Sequence, residues 1–284
     1  VLKHLDMEKT ESGGSIKLTV SGGSTPYTYK WRPVNTTSKD LDNAALNTYS
    51  VTIKDHNEDS VTYHYNLGYK VYLEKGFVNE NGSEWLIQNY DANSDTVILI
   101  VQDKFKNIVG SVTLVFDGSS KLPAEKIYAE ELNGLRKSGN KMVELSRLVI
   151  NPDYRNSKEI LVLLFNYLAI YIYHVKAYNS ITIQVNPRHK NYYKMLLGFK
   201  EVGVEKPCPH VQNAPAVLLF LSATLYRAEL KRCADTQNSE KKDRSLYPYF
   251  IKSEQESLVA YYLAKQIKPM SAEEKLYFGF AQSG

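Results

Sequence analysis

Between residues 141 and 186 the chain reads as a charged apolar strand, a tight loop, a long apolar helix and a second strand. That order does most to limit how the chain can fold. KMVELSRLVI is the first strand, Asn151-Pro152-Asp153-Tyr154-Arg155 the loop, residues 158–176 the helix and ITIQVN the second strand. Asn156 and Glu159 are spaced as a capping pair at the helix start. The apolar run over residues 160–173 (ILVLLFNYLAIYIY) has 14 residues and carries Asn166. A bilayer span needs roughly 20, so the run reads as a buried helix and not as a transmembrane segment. Two strands joined by a charged turn, DTVILIVQD and NIVGSVTLVFD, come before this unit. A short helix over residues 189–197 and the strands GFKEVG and APAVLLFLS come after it. Strands alternating with helices in this way predict an α/β domain with a mixed sheet.

The flanks read differently. Over residues 12–57, SIKLTV and TYSVTIKD alternate in the two-residue period of half-buried strands. Between them Gly22-Gly23-Ser24-Thr25-Pro26 signals a turn, followed by YTYKW. Residues 61–80 either continue this β region or form a leading helix of the next domain. After Ala223 the composition turns polar, as a helix end running into an exposed linker, with two short amphipathic helices over residues 253–280. The predicted organisation is a small all-β module over 1–57, an α/β domain over 60–223, and a polar linker with short C-terminal helices over 224–284.

A chain of 284 residues with 43% hydrophobic and 23% charged residues has ample material for a globular core. Its 22 tyrosines suit amphiphilic ligand pockets and ordinary β surfaces alike. A net charge of +4 without a clustered Lys/Arg stripe gives no nucleic-acid footprint, though it tolerates an acidic protein partner. Cys208 and Cys233 form neither a disulfide framework nor a metal-binding pair, and Cys208-Pro209-His210 lacks a second pair of ligands. These features predict free thiols, a reducing compartment and no metal; no signal peptide opens the chain.

Chemistry concentrates in three places. In KMVELSRLVI, alternation puts Glu144 and Ser146 on one face and Arg147 on the other. Unpaired buried charge costs several kcal/mol, so Glu144 and Arg147 open onto a cleft, satisfy each other, or belong to an edge salt-bridge network. At the following helix start, Arg155, Asn156 and Ser157 with free backbone N–H groups can bind an anion, although many helices begin with Asn or Ser. In NPRHKNYYKMLLGF, Asn186 ends a strand and Tyr192 and Tyr193 lie on the next helix, where a tyrosine is either a proton donor or core. His189 is a base or a helix-cap residue.

Two resemblances follow from these residues. SGGSTPYTYKW, LDNAAL and NTYSVTIKD, spanning about 45 residues, resemble one copy of the SprB-type repeat of gliding-motility adhesins, with Asn47 where the family often has Gly. The charged strand, anion-binding helix start, Asn-ended strand, Tyr-bearing helix and LGF resemble the GNAT fold. Within it, VELSRLVINPDYR, NPRHKNYYKMLLGF and NAPAVLLFL are similar to the N-acyl amino acid synthases, relatives of the acyl-homoserine-lactone synthases. That resemblance implies splayed central parallel strands at 141–150 and 180–186 joined by the helix as a right-handed crossover. It implies transfer of a long acyl chain from acyl carrier protein to the α-amine of an amino acid, with no permanently bound cofactor.

In that reading Glu144 is the base, Tyr193 the acid, and Arg147 holds the amino-acid carboxylate or orients Glu144. Backbone N–H groups at Leu148, Val149 and Ile150 bind the thioester oxygen and pantetheine amides. Arg155, Asn156, Ser157 and Asn186 hold the rest of the phosphopantetheine. Ser146, Arg188, His189 and Tyr192 line the substrate side. The helix start Arg155-Asn156-Ser157-Lys158-Glu159-Ile160 has none of the glycines that let backbone approach the pyrophosphate of coenzyme A, so acyl carrier protein is the expected donor and acyl-CoA the alternative. The expected location is cytoplasmic, with membrane contact only through a lipid product; an adhesin-type repeat carries an extracellular alternative. A coenzyme A-dependent acetyltransferase, an aminolipid acyltransferase and a non-enzymatic adhesin are the competing functions.

Overall fold

The computed structural model describes residues 2–8, 14–20, 27–44, 50–54, 58–104, 108–155, 157–235, 244–267 and 269–280. The turn at 22–26, residues 45–49 of the adhesin-like pattern and Asn156 lie outside the described residues. The chain forms two compact units, Val1–His64 and Tyr65–Gly284.

In the first unit, β1 (Leu2–Glu8), β2 (Gly14–Val20) and β4 (Leu41–Ala44) make one antiparallel sheet, and β3 (Thr28–Arg32) pairs with β5 (Ser50–Lys54). Alternating Ile16 and Leu18 turn inward with Trp31 and Leu41 to form its core. Residues Glu58–Glu74 form helix α1, so residues 61–74 of the segment left open between strand and helix are helical, and residues 75–80 are neither helix nor strand.

The second unit is built on a six-stranded mixed sheet in the order β10-β11-β9-β8-β7-β6. Its strands are β6 (Thr96–Gln102), β7 (Ile108–Phe116), β8 (Met142–Ile150), β9 (Ser180–Val185), β10 (Lys200–Cys208) and β11 (Ala214–Ser222). Among the described residues only β8 and β9 run parallel, joined through helix α3 (Lys158–Ile170) and one π turn at Tyr171–Val175. Their pairing runs from Met142↔Ser180 to Leu145↔Ile183 and stops there, while β8 continues to Ile150. The central parallel strands therefore part, as the resemblance implied.

Helix α3 with its π turn is, among the described residues, the one helix long and apolar enough to cross a membrane. Its Ile160, Leu164, Phe165, Leu168 and Ile170 are instead buried against the sheet in the main core. Gly110 on β7 allows this approach: a Cβ there would sit 3.0 Å from Ile160 Cγ2 and 3.3 Å from Leu164 Cδ1. Asn166, polar in this apolar run, accepts a hydrogen bond from Ile251 N–H at 2.9 Å. The other face of the sheet carries helix α2 (Glu125–Lys137), packed through Tyr128 and Leu132 onto Val115, Met142 and Leu218. Tyr128 donates to the Ala216 and Val204 carbonyls, at 2.6 and 2.9 Å, and so wedges between β11 and β10.

Helix α4 (Lys190–Leu197) ends on Gly198 at φ 76°, the left-handed cap that glycine takes without a steric cost. The chain after Ala223 does more than the predicted linker. Helix α5 (Ala223–Asp235) buries Tyr226, and Leu246, Tyr247 and Phe250 join the main core. Helix α6 (Ser253–Gln266) is anchored by Glu256, which bonds His174 at 3.0 Å and Tyr226 at 3.2 Å. A short helix α7 (Ala272–Tyr277) follows.

Candidate active site

The site forms where β8 and β9 separate. Glu144 lies on β8 opposite Val115 of β7 and Thr182 of β9, next to the last parallel bridge. It is 1% exposed. Its Oε2 accepts the Ala124 N–H at 2.8 Å and its Oε1 accepts Gln184 Nε2–H at 2.8 Å. Burial pushes the Glu144 carboxyl up to about 7, opposed by the Ala124 and Gln184 hydrogen bonds and reinforced by the negative charge of Glu125. Both donors are neutral, so among the described residues no counter-ion holds this group ionised.

Arg147 departs from the sequence expectation. Between the pairs Thr113↔Ser146 and Ser111↔Val149, β8 spends one residue more than β7, and Arg147 takes φ 49° there. This β-bulge breaks the two-residue alternation. The Arg147 side chain consequently reaches Thr113 Oγ1 at 2.9 Å, on the face it shares with Ser146 and Glu144, rather than the opposite face. The guanidinium does not bond Glu144. It forms a fork with Asp91, one arm at 2.7 Å, and donates to the Leu86 carbonyl at 2.9 Å. It also lies 5.3 Å from the centroid of the Tyr90 ring. Tyr90 in turn shares a hydrogen bond with Ser146 at 2.9 Å. Asp91 accepts Gln88 N–H at 2.8 Å, so the ion pair pins the segment around residues 86–92 to the bulge. Arg147 and Asp91 are each about 4% exposed, which makes this a buried pair.

Beyond the bulge, Leu148 and Ile150 pack toward the main core, and the buried Val149 meets Leu67 and Val71 of α1. With no β9 partner past Leu145, this stretch of β8 has a backbone edge available to a ligand. Tyr193 of α4 stands half-buried in an aromatic cluster with Phe165, Tyr192 and Phe199, at centroid separations of 6.3, 5.7 and 6.2 Å. Burial raises its pKa, and Tyr192 and Tyr72 add to the rise, which keeps its proton on. Tyr192 is 41% exposed.

Basic groups gather at the ends of these strands. Arg155 is exposed and paired with Glu74 of α1. Burial, then the guanidiniums of Arg155 and Arg188, lower the Lys75 pKa. The His189 pKa is lowered by burial, then by Arg188 and Lys75, and Arg188 Nε donates to His189 Nε2 at 3.2 Å. At the α3 start, Ser157 caps Ile160 N–H at 3.4 Å and also donates to Glu159 at 2.8 Å. Asn186 caps the turn after β9, accepting Arg188 N–H at 3.2 Å.

The structure thus brings Glu144, Ser146 and Arg147 to one face, puts Tyr193 in the aromatic cluster, and gathers Arg155, Arg188 and His189 with Lys75. Sequence reasoning did not single out Gln184, Asp91 or Tyr90, and took Cys208 only as a free thiol outside any metal pair. Gln184 had a visible signal, as an amide between the apolar Ile183 and Val185 and two residues from Thr182; Asp91 had none.

The profile of the N-acyl amino acid synthase FeeM family matches residues 64–222, more than half of the chain, and the SprB repeat profile matches residues 10–36. No curated protein matches the chain. Among solved structures, FeeM, an N-acyl amino acid synthase from uncultured soil microbes, is 21% identical. The match has a TM-score of 0.52 and covers 61% of this chain and 95% of that one. The CoA-dependent acyl-homoserine lactone synthase BjaI is 15% identical at a TM-score of 0.46, covering 62% of this chain and 82% of its own. A second CoA-dependent acyl-homoserine lactone synthase, MesI, is 13% identical at 0.44, covering 63% and 89%.

Proposed function

This chain belongs to the FeeM family of N-acyl amino acid synthases, which are acyltransferases, and from that premise we propose its reaction: a long acyl group passes from a phosphopantetheine thioester to the α-amine of an amino acid. The observation that carries the reading is a buried carboxyl without a counter-ion, Glu144, at the point where β8 and β9 part. A carboxyl with a pKa near 7 accepts a proton from the attacking ammonium at neutral pH, directly or through water. The unpaired β8 edge at Leu148 to Ile150 supplies N–H donors for the thioester oxygen and pantetheine amides. One such donor is worth roughly 3 kcal/mol in the transition state. Tyr193, which burial keeps protonated, gives its proton to the departing thiolate and regains one, directly or through water, from the substrate nitrogen as the amide forms. Arg147 acts by holding Asp91 and the 86–92 segment beside the cleft, with Tyr90 and Ser146 on the amino-acid side. Arg188, His189 and Tyr192 are assigned in this reading to the substrate side.

Acyl carrier protein is the proposed donor. Ser157 and Glu159 occupy the α3 start, and an acidic side chain there opposes a pyrophosphate. Lys75, Arg155 and Arg188, from three separate segments, suit one phosphodiester on an acidic carrier. The test is kcat/KM for matched long-chain esters of acyl carrier protein and coenzyme A, with product masses read across the common amino acids. A preference for the carrier ester and an N-acyl amino acid mass are expected. Equal or better use of the coenzyme A ester overturns the donor, and absence of any N-acyl amino acid overturns the function.

A further inference from the structure

Gln184 takes part in none of the steps above, yet it is the only side chain that bonds the Glu144 carboxylate among the described residues. It is the first residue of β9 past the last parallel bridge, Leu145↔Ile183, and two residues beyond Thr182, so its side chain falls on the Glu144 face at the vertex of the opening. Its amide is used at both ends. Nε2–H donates to Glu144 Oε1 at 2.8 Å, and Oε1 accepts the Cys208 thiol at 3.9 Å from the end of β10. The thiol can donate and the carboxylate can only accept, so the two neighbours agree on one orientation of the amide.

We propose that Gln184, oriented by Cys208, is a positioning residue that holds the Glu144 carboxylate at the vertex in its proton-accepting form. This rests on the reading of Glu144 as the base. A protonated Glu144 keeps one full acceptor oxygen for the Ala124 and Gln184 N–H groups where the carboxylate offers two, and an amide held by Cys208 with its NH2 toward Glu144 cannot accept the acid proton. The pair therefore resists loss of the carboxylate form. Its strength must be weighed against the other groups that face Glu144. Glu125 at the start of α2 opposes ionisation, as does burial, and the Ala124 N–H supports it. The Cys208 thiol on β10 is the remaining titratable neighbour, itself raised by burial. Val115 on β7 and Thr182 on β9 bring no charge.

The experiment is the pH profile of kcat/KM for the full chain with long-chain acyl carrier protein. Gln184→Met keeps the volume and removes the donor; the acid limb should move up by about one pH unit, so the loss grows to roughly tenfold at pH values below the limb. Gln184→Glu, which adds a like charge of the same size, should move it at least as far. Cys208→Val, which removes only the orienting thiol, should move it less, in the same direction. Thermal denaturation reports the folded fraction for each variant, and rates are corrected for it. A structural role alone would lower the rate equally at every pH, and that outcome overturns the proposal. So does an acid limb unmoved in every variant that folds. Glu144→Gln distinguishes the two ideas: if it keeps full activity and the same acid limb, the assignment of Glu144 as base has failed. If it loses activity while Gln184→Met and Gln184→Glu leave the limb in place, only the role of Gln184 has failed.

Discussion

Glu144→Gln tests the electrostatics of the vertex independently of catalysis. The carboxyl moves from 4.5 to about 7 on folding, chiefly by burial. At about 1.4 kcal/mol per pH unit, the folded protein loses about 3 kcal/mol of stability when this group ionises. A raised folded pKa means that the contribution is fully present below pH 4.5, falls as pH rises through about 7, and is absent above. Glutamine keeps the shape and cannot ionise. Its oxygen accepts the Ala124 N–H, and its NH2 can donate to Gln184 once that amide turns over. The difference in unfolding free energy between the two proteins, from urea titrations at pH values between 4 and 9, should follow a single titration. The native protein should lose about 3 kcal/mol relative to the variant from the acid end to the alkaline end. In the same window the transfer rate of the native protein should rise, and the variant should run about 10²–10⁴-fold slower at pH 8. A pH-independent stability difference would refute the reasoning, because it would mean that Glu144 is solvated or held by a cation.

Asp91→Asn leaves Arg147 buried without its partner and should cost about 3–5 kcal/mol; at roughly 2–4 °C per kcal/mol this lowers Tm by about 6–20 °C in calorimetry. Gly203→Ala puts a Cβ 2.6 Å from Tyr128 Cε1 and 2.9 Å from Leu218 Cβ, so it should destabilise by about 1–3 kcal/mol and loosen α2, read as reduced amide protection there. Ser157→Ala removes the α3 cap and should cost about 1 kcal/mol in urea titration. Deleting residues 1–57, which carry none of the site residues, should leave acyl transfer intact; loss of transfer with the remainder still folded would assign the module a role in the reaction.

What the sequence made legible follows from periodicity. The strand-helix-strand unit stood out because KMVELSRLVI, ILVLLFNYLAIYIY and ITIQVN are apolar over lengths that only buried strands and a buried helix explain. The bulge was hidden for the same reason: it is a local break of the two-residue period, and no glycine marks the left-handed residue, which is Arg147. The ion-pair partner was equally out of reach, since Asp91 lies 56 residues away in a single 3-10 turn, Asn89–Ala92, too short to show a period. Helix α2 escaped because Gly134 and a run of charges dilute an apolar face of Ile127, Tyr128, Leu132 and Leu135. The tail read as polar because its core contacts come from a few spaced aromatics, Tyr226, Tyr247 and Phe250, in a hydrophilic background.

The bulge also explains how one strand carries two buried charges with opposite fates. Arg147 is compensated by Asp91, the Leu86 carbonyl and Thr113. Such a pair costs several kcal/mol to break and anchors a loop. Glu144, three residues earlier on the same face, receives only neutral donors. Had Arg147 turned to Glu144, as the wording of the strand invites, an adjacent guanidinium would have lowered the carboxyl pKa by about 1–3 units. A base held that low accepts a proton from an ammonium poorly at neutral pH. By turning Arg147 onto Asp91, the extra residue in β8 separates the anchoring charge from the carboxyl proposed as the base. Glu144 is then left to the weaker hold of Ala124 and Gln184, under which its proton can come and go.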